Sequence, residues 1–153
     1  MNKLKRILLA EDDPNDVELT VCALAAHNLV NEVVVARDGA EVLDYVYRRG
    51  LFAGRSAGNP VVILLDLKMP RVGGLEVIRQ LKGDERTRRI PVVVLTSSRE
   101  EFDLTECYSL GANAYVVKPV KFGEFAEVVK NLGVFWAMIT EPPPGDSGRT
   151  RRN

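Results

Sequence analysis

Asp66 closes the apolar run Val61-Val62-Ile63-Leu64-Leu65, and a Pro/Gly turn, Met69-Pro70-Arg71-Val72-Gly73-Gly74, lies just beyond it. A carboxylate at the mouth of a buried strand packs poorly, but it is well placed as a nucleophile or a cation ligand. Three other polar clusters occupy the same kind of position. Glu11-Asp12-Asp13 follows Ile7-Leu8-Leu9-Ala10, Thr96-Ser97-Ser98 follows Val92-Val93-Val94-Leu95, and Lys118-Pro119 follows Tyr115-Val116-Val117. Carboxylates crowded together raise one another's pKa unless a cation neutralises them. A hard divalent ion with oxygen ligands does this, and Mg²⁺ suits a site that keeps several waters. Lys118 offers an ammonium for a carboxylate or a phosphoryl oxygen, and Thr96 offers a hydroxyl donor. Nucleophile, metal, ammonium and donor are the parts for phosphoryl transfer to a carboxylate. Taken singly, each fragment is ordinary: Asp13 before Pro14 suits a helix cap, and Lys-Pro or Thr-Ser-Ser a turn. The ordered set, one cluster at each strand end, carries the functional reading.

The elements that must position these residues are legible in the same stretch of chain. Strands are predicted at Arg6–Ala10, Glu32–Ala36, Val61–Leu65, Val92–Leu95 and Ala114–Val117. They are rich in Val, Ile and Leu without polar alternation, as for strands covered on both faces. Between and after them run helical stripes: Val17, Val21 and Leu24; Val42, Leu43 and Val46; Leu75, Ile78 and Leu81; Phe102, Leu104, Cys107 and Leu110; and Phe125, Val128, Val129, Leu132, Phe135 and Ile139. Asp38 with Glu41, and Ser98 with Glu101, have capping-box spacing, and Pro14 suits a first helical turn. Strands alternating with helices imply parallel pairing through right-handed crossovers. The predicted fold is a three-layer, doubly wound α/β domain with a five-stranded parallel sheet in the flavodoxin-like order 2-1-3-4-5. In such a sheet all strand C-termini open on one edge, where the four polar clusters converge.

The 153 residues suffice for one domain with a full core. The 21 basic and 21 acidic residues cancel, which gives no overall field toward nucleic acid or an anionic membrane. No stretch has the length of a signal peptide or a membrane span, so a cytoplasmic protein is expected. Cys22 and Cys107 lack metal-ligand or redox spacing and are expected to be buried, reduced packing residues. His27 has no nucleophile beside it in sequence and reads as a surface or helix-end residue. Arg48–Pro60, with three glycines, is an enlarged loop. Residues 1–141 are expected to form the domain, and residues 142–153, rich in Pro, Gly and Arg, a disordered tail.

ILLAEDDPND, ILLDLKMPRVGGLEVI, VVVLTSS and GANAYVVKP together resemble the receiver domain of two-component response regulators, in order and to about Ile139. The resemblance implies that Asp66 accepts a phosphoryl group from a histidine kinase's phosphohistidine. It implies that Glu11 and Asp12 bind Mg²⁺ with Asp66, Asp12 directly and Glu11 through water, and that the backbone carbonyl of Lys68 completes the protein's ligands. Thr96 and Tyr115 match the switch pair, Lys118 the phosphoryl-pairing lysine, and Pro119 the residue after a cis bond. Such a domain is a phosphoacceptor that assists its own phosphorylation and dephosphorylation rather than an enzyme. Lys68, two residues after the acceptor, is a bulky cation whose ammonium is expected to influence water attack on the phosphoryl group.

Only a short polar segment follows Pro144, so the expected output is a surface of the domain itself. Val134, Phe135, Trp136, Ala137, Met138 and Ile139 are apolar on more than one side of the last helix, and one side needs cover. ARDGAEVLDYVYRRG and the FW pair before a triple proline resemble single-domain regulators that partner bacterial phytochrome kinases. That implies a homodimer through the fourth helix, fifth strand and fifth helix, with Phe135 and Trp136 at its surface. Two other readings compete. A small metal-dependent aspartyl-phosphate phosphatase needs a second acid two residues after a nucleophile on the first strand, whereas that position here is Lys68 on the third. A phosphorylation-independent interaction module would not require the set Asp66, Asp12, Thr96 and Lys118.

Overall fold

A computed structural model describes residues 6–25, 32–56, 58–97 and 101–133. Apolar β-branched runs form strands β1 (Arg6–Ala10), β2 (Glu32–Ala36), β3 (Val62–Asp66), β4 (Val92–Thr96) and β5 (Ala114–Val117). The periodic segments form helices α1 (Pro14–Ala25), α2 (Gly39–Tyr47), α3 (Gly74–Lys82), α4 (Glu101–Leu110) and α5 (Phe122–Asn131). All strands pair in parallel, in the order β2-β1-β3-β4-β5. This is the predicted doubly wound architecture. β3 and β4 each run one residue past their predicted ends, which makes Asp66 and Thr96 the last rungs of their ladders, opposite Leu95 and Val117.

Alternation along the central strands splits the core in two. Ile7, Leu9, Val62, Leu64, Val93 and Leu95 pack with Leu24 of α1 and with Phe125 and Val129 of α5. Leu8, Ala10, Ile63, Leu65, Val92 and Val94 pack with Val42 and Val46 of α2, Ile78 and Leu81 of α3 and Cys107 of α4. Each fully buried Leu or Ile contributes about 1.5–3 kcal/mol. This two-sided clamp holds the strand ends in register.

One expectation needs refining and one needs correction. β2 does pack on both faces, but less deeply than the central strands: Val34 meets one half of the core and Val33 and Val35 the other, all three half-buried, with Glu32 exposed at this edge of the sheet. Cys22 is exposed, while Cys107 is buried as expected. α1 turns Thr20 and Leu24 inward, with Val17 and Val21 half-buried beside them, and Cys22 lies about 200° around the helix from Thr20.

The caps follow the sequence. Asp38 Oδ1 accepts from Glu41 N–H at 2.8 Å, and Glu41 Oε1 accepts from Arg37 N–H at 2.9 Å, one residue earlier than a standard capping box. Asp13 Oδ1 accepts from Asn15 N–H at 2.8 Å, with Pro14 opening α1. The Arg48–Pro60 loop contains a short 3-10 turn, Gly50–Phe52. Arg55 ties it back, donating to the carbonyls of Tyr45 and Val46 at 2.7 and 3.3 Å while its guanidinium lies 4.0 Å from the Tyr45 ring centroid. Among the described residues no helix is long and apolar enough to cross a membrane. His27, Ser98, residues 134–141 with Phe135 and Trp136, and the tail 142–153 lie outside the described residues.

Candidate functional site

The C-terminal ends of β1, β3, β4 and β5 bring Glu11, Asp12, Asp66, Thr96 and Lys118 to one edge of the sheet. Glu11 follows β1, held by its N–H to Ala36 O at 2.9 Å, and is 1% exposed. Carboxylate oxygens of Glu11, Asp12 and Asp66 lie within 4.8 Å of one another. Asp12 is exposed, whereas Glu11 and Asp66 are buried. Two sheltered carboxylates and one open to water fit a hard divalent cation that keeps part of its hydration shell. Asp13 stands outside this group because its side chain caps α1.

Lys118 enters from the end of β5, its N–H bonded to Thr96 O at 2.8 Å. Its Nζ donates to Glu11 Oε1 at 2.7 Å, Asp16 Oδ2 at 2.9 Å and Asp66 Oδ2 at 3.2 Å. The peptide bond from Lys118 to Pro119 is cis. Thr96 is buried at the last rung of β4. Lys68 N–H donates to Asp66 Oδ1 at 3.2 Å, and the Lys68 side chain is exposed, so the position two after Asp66 carries no acid. Tyr115 is half-buried on the edge strand β5, its ring 6.4 Å from that of Tyr108 in an edge-on contact.

The electrostatics follow from this crowding. Burial raises the pKa of the Glu11 carboxyl, and the hydrogen bonds from Lys118 and from Asp13 N–H reduce the rise without cancelling it; the charge of Asp66 adds to it. Burial disfavours the Lys118 ammonium, but its hydrogen bonds to Glu11 and Asp16 and the nearby Asp66 charge hold its pKa above the ordinary lysine value. Lys118 is therefore a fixed cation at neutral pH. One ammonium against four carboxylates leaves a surplus of negative charge, which a divalent cation relieves.

Asp16 is the residue that sequence reasoning missed. An acid in the first turn of a helix reads as a partner of the helix dipole, and that reading hides a side chain that reaches Lys118, 102 residues away.

Residues 7–130 match the response regulator receiver domain. Among sequence relatives, the chain is 38% identical over 130 residues to "Probable methanogenesis regulatory protein FilR2" of Methanothrix harundinacea, covering 85% of this chain and 82% of that one. It is 33% identical over 135 residues to the response regulator Rcp1 of Synechocystis, covering 88% and 90%. Among solved structures, the bacteriophytochrome response regulator AtBRR is 56% identical with a TM-score of 0.84, covering 92% of this chain and all of that one. RtBRR, also a bacteriophytochrome response regulator, is 57% identical with a TM-score of 0.82, covering 94% and 86%. The Mn²⁺-bound form of Rcp1 is 32% identical with a TM-score of 0.71, covering 91% and 99%. With its fold, its strand-end acidic cluster and its sequence all in agreement, the chain belongs to the response regulator receiver domain family and is homologous to phytochrome response regulators.

Proposed function

We propose that the chain is a phosphorelay component that accepts a phosphoryl group on Asp66 from the phosphohistidine of a histidine kinase in the cytoplasm. The observation that carries this reading is the placement of Lys118 Nζ 3.2 Å from Asp66 Oδ2, beside the Glu11, Asp12 and Asp66 carboxylates. An Asp66 oxygen attacks phosphorus, an O–P bond forms as the P–N bond breaks, and the electron pair leaves with the imidazole, which takes up a proton. Glu11, Asp12, Asp66 and the Lys68 carbonyl would hold Mg²⁺, which when bound neutralises charge on the transferring phosphoryl oxygens. Lys118 pairs with one phosphoryl oxygen, and the Thr96 hydroxyl donates to another. Asp66 is the nucleophile, and its depth at the strand end limits which donors reach it.

The homology to AtBRR, RtBRR and Rcp1 supports a phytochrome-type kinase as the phosphodonor. The response is carried by the face of α4, β5 and α5, where Thr96 and Tyr115 couple the site to a surface. Between β5 and α5 that face has a groove of about 460 Å³, lined by Tyr115, Val117, Glu124, Glu127 and Val128 among others. A second copy of the chain docks on this face, with Phe135 and Trp136 contributing. The first test is intact mass after incubation with Mg²⁺ and acetyl phosphate. One phosphoryl adduct is expected on the parent and none on Asp66→Asn; an equal adduct on both would overturn the assignment. For the dimer, sedimentation of Trp136→Ala at micromolar concentration is expected to show weaker self-association than the parent.

A further inference from the structure

Asp66 is joined to α3 by the loop of residues 67–73, and this loop is closed at both ends. At its base Gly74 N–H donates to Leu67 O at 3.0 Å, and a Cβ on Gly74 would stand 2.7 Å from Leu67 Cα. At its outer edge the loop rests on the first turn of α2, where a Cβ on Gly39 would stand 1.9 Å from Val72 O. Arg71 crosses this contact. Its Nε donates to Asp38 Oδ2 at 2.8 Å and its Nη2 to Asp38 Oδ1 at 3.1 Å, a two-pronged pair. Asp38 is itself fixed, because Oδ1 also caps α2 through Glu41 N–H.

Arg71 has φ +65°, the left-handed conformation that glycine adopts far more readily. Position 71 nonetheless carries a long side chain, and that side chain makes the fork to Asp38. The Arg71 side chain is 60% exposed but that of Asp38 only 13%, so the pair contributes modestly to global stability. Its second effect is geometric. It fastens a loop whose second residue, Lys68, already donates its N–H to Asp66.

We propose that the Asp38–Arg71 fork is a positioning device that holds the 67–73 loop on α2 and so keeps the Lys68 peptide in place for the divalent cation at Asp66. This rests on the reading of the Lys68 carbonyl as a metal ligand. Neither residue touches the reacting atoms; both act through the loop.

The test uses the full chain with Arg71→Gly, Arg71→Lys and Asp38→Asn. Arg71→Gly removes the fork while easing the backbone, so its melting temperature is expected to stay near that of the parent. Amide hydrogen exchange without metal and Mn²⁺ affinity by calorimetry are then compared. The expected result for Arg71→Gly is faster exchange at Lys68 and Gly74, and Mn²⁺ binding weakened about 10-fold, the lower end for loss of an outer-shell support. Arg71→Lys, with one donor in place of a fork, should restore only part of the affinity, and Asp38→Asn should resemble Arg71→Gly. Exchange unchanged in Arg71→Gly, or faster exchange with parental Mn²⁺ affinity, would overturn the proposal. Failure of the underlying site reading shows itself separately, as a parent protein that does not bind Mn²⁺.

Discussion

Lys118 Nζ lies closer to Asp16 Oδ2, at 2.9 Å, than to Asp66 Oδ2, at 3.2 Å. A carboxylate on the first turn of α1 therefore shares the ammonium that the phosphoacceptor needs. Removing its charge frees Lys118 to lean toward Asp66. Asp16→Asn is expected to be phosphorylated by acetyl phosphate about 3-fold faster than the parent, a barrier change of about 0.6 kcal/mol. Time-resolved intact mass measures this, and a rate equal to the parent's would make Asp16 a bystander.

Lys118 has the opposite consequence. Lys118→Ala removes the only cation that the site's carboxylates share among the described contacts. Loss of one aligned donor to a developing oxyanion typically lowers a rate about 100-fold or more, and the same loss is expected in acetyl phosphate labelling. Saturating Mg²⁺ should not restore it. Glu11, 1% exposed, is left without its ion pair, so urea denaturation should also show a less stable protein, by about 3 kcal/mol or less if Glu11 takes up a proton.

Asp38 gives a pH dependence with a definite sign. Its hydrogen bond to Arg71 outweighs partial burial and holds its pKa below the ordinary value. The folded state thus favours the carboxylate more than the unfolded chain does. That stability is fully present above the unfolded value of about 3.9 and is lost as pH falls through the lowered folded value. Asp38→Asn keeps a good helix cap but lacks the charge. The stability gap between parent and Asp38→Asn, measured in urea, should be constant near neutrality and narrow below about pH 4. A gap that persists unchanged at pH 3 would contradict the ion-pair origin.

The two cysteines should differ in reactivity. Cys22 is exposed and Cys107 is 2% exposed in the core against α3 and β4. A thiol reagent should label one cysteine promptly in the native protein, assigned to Cys22 by its absence in Cys22→Ser. The second should react only in denaturant. Prompt labelling of both thiols would mean that α4 opens readily.

The sequence determined the local elements. Strand runs, helix stripes, the Asp38 cap and the Pro14 start depend on neighbours within a few residues, and periodicity records those directly. It also placed Glu11, Asp12, Asp66, Thr96 and Lys118 at strand ends, because a parallel sheet sends every such end to one edge. Only the tertiary structure decided which side chains meet there. Asp16 finds Lys118 across 102 residues, and Arg71 finds Asp38 across 33. The exposure of Cys22 and the shallower burial of β2 likewise depend on how α1 is rotated and which strand ends the sheet. Those outcomes are set by strand order and helix packing, and no local pattern of residue types contains them.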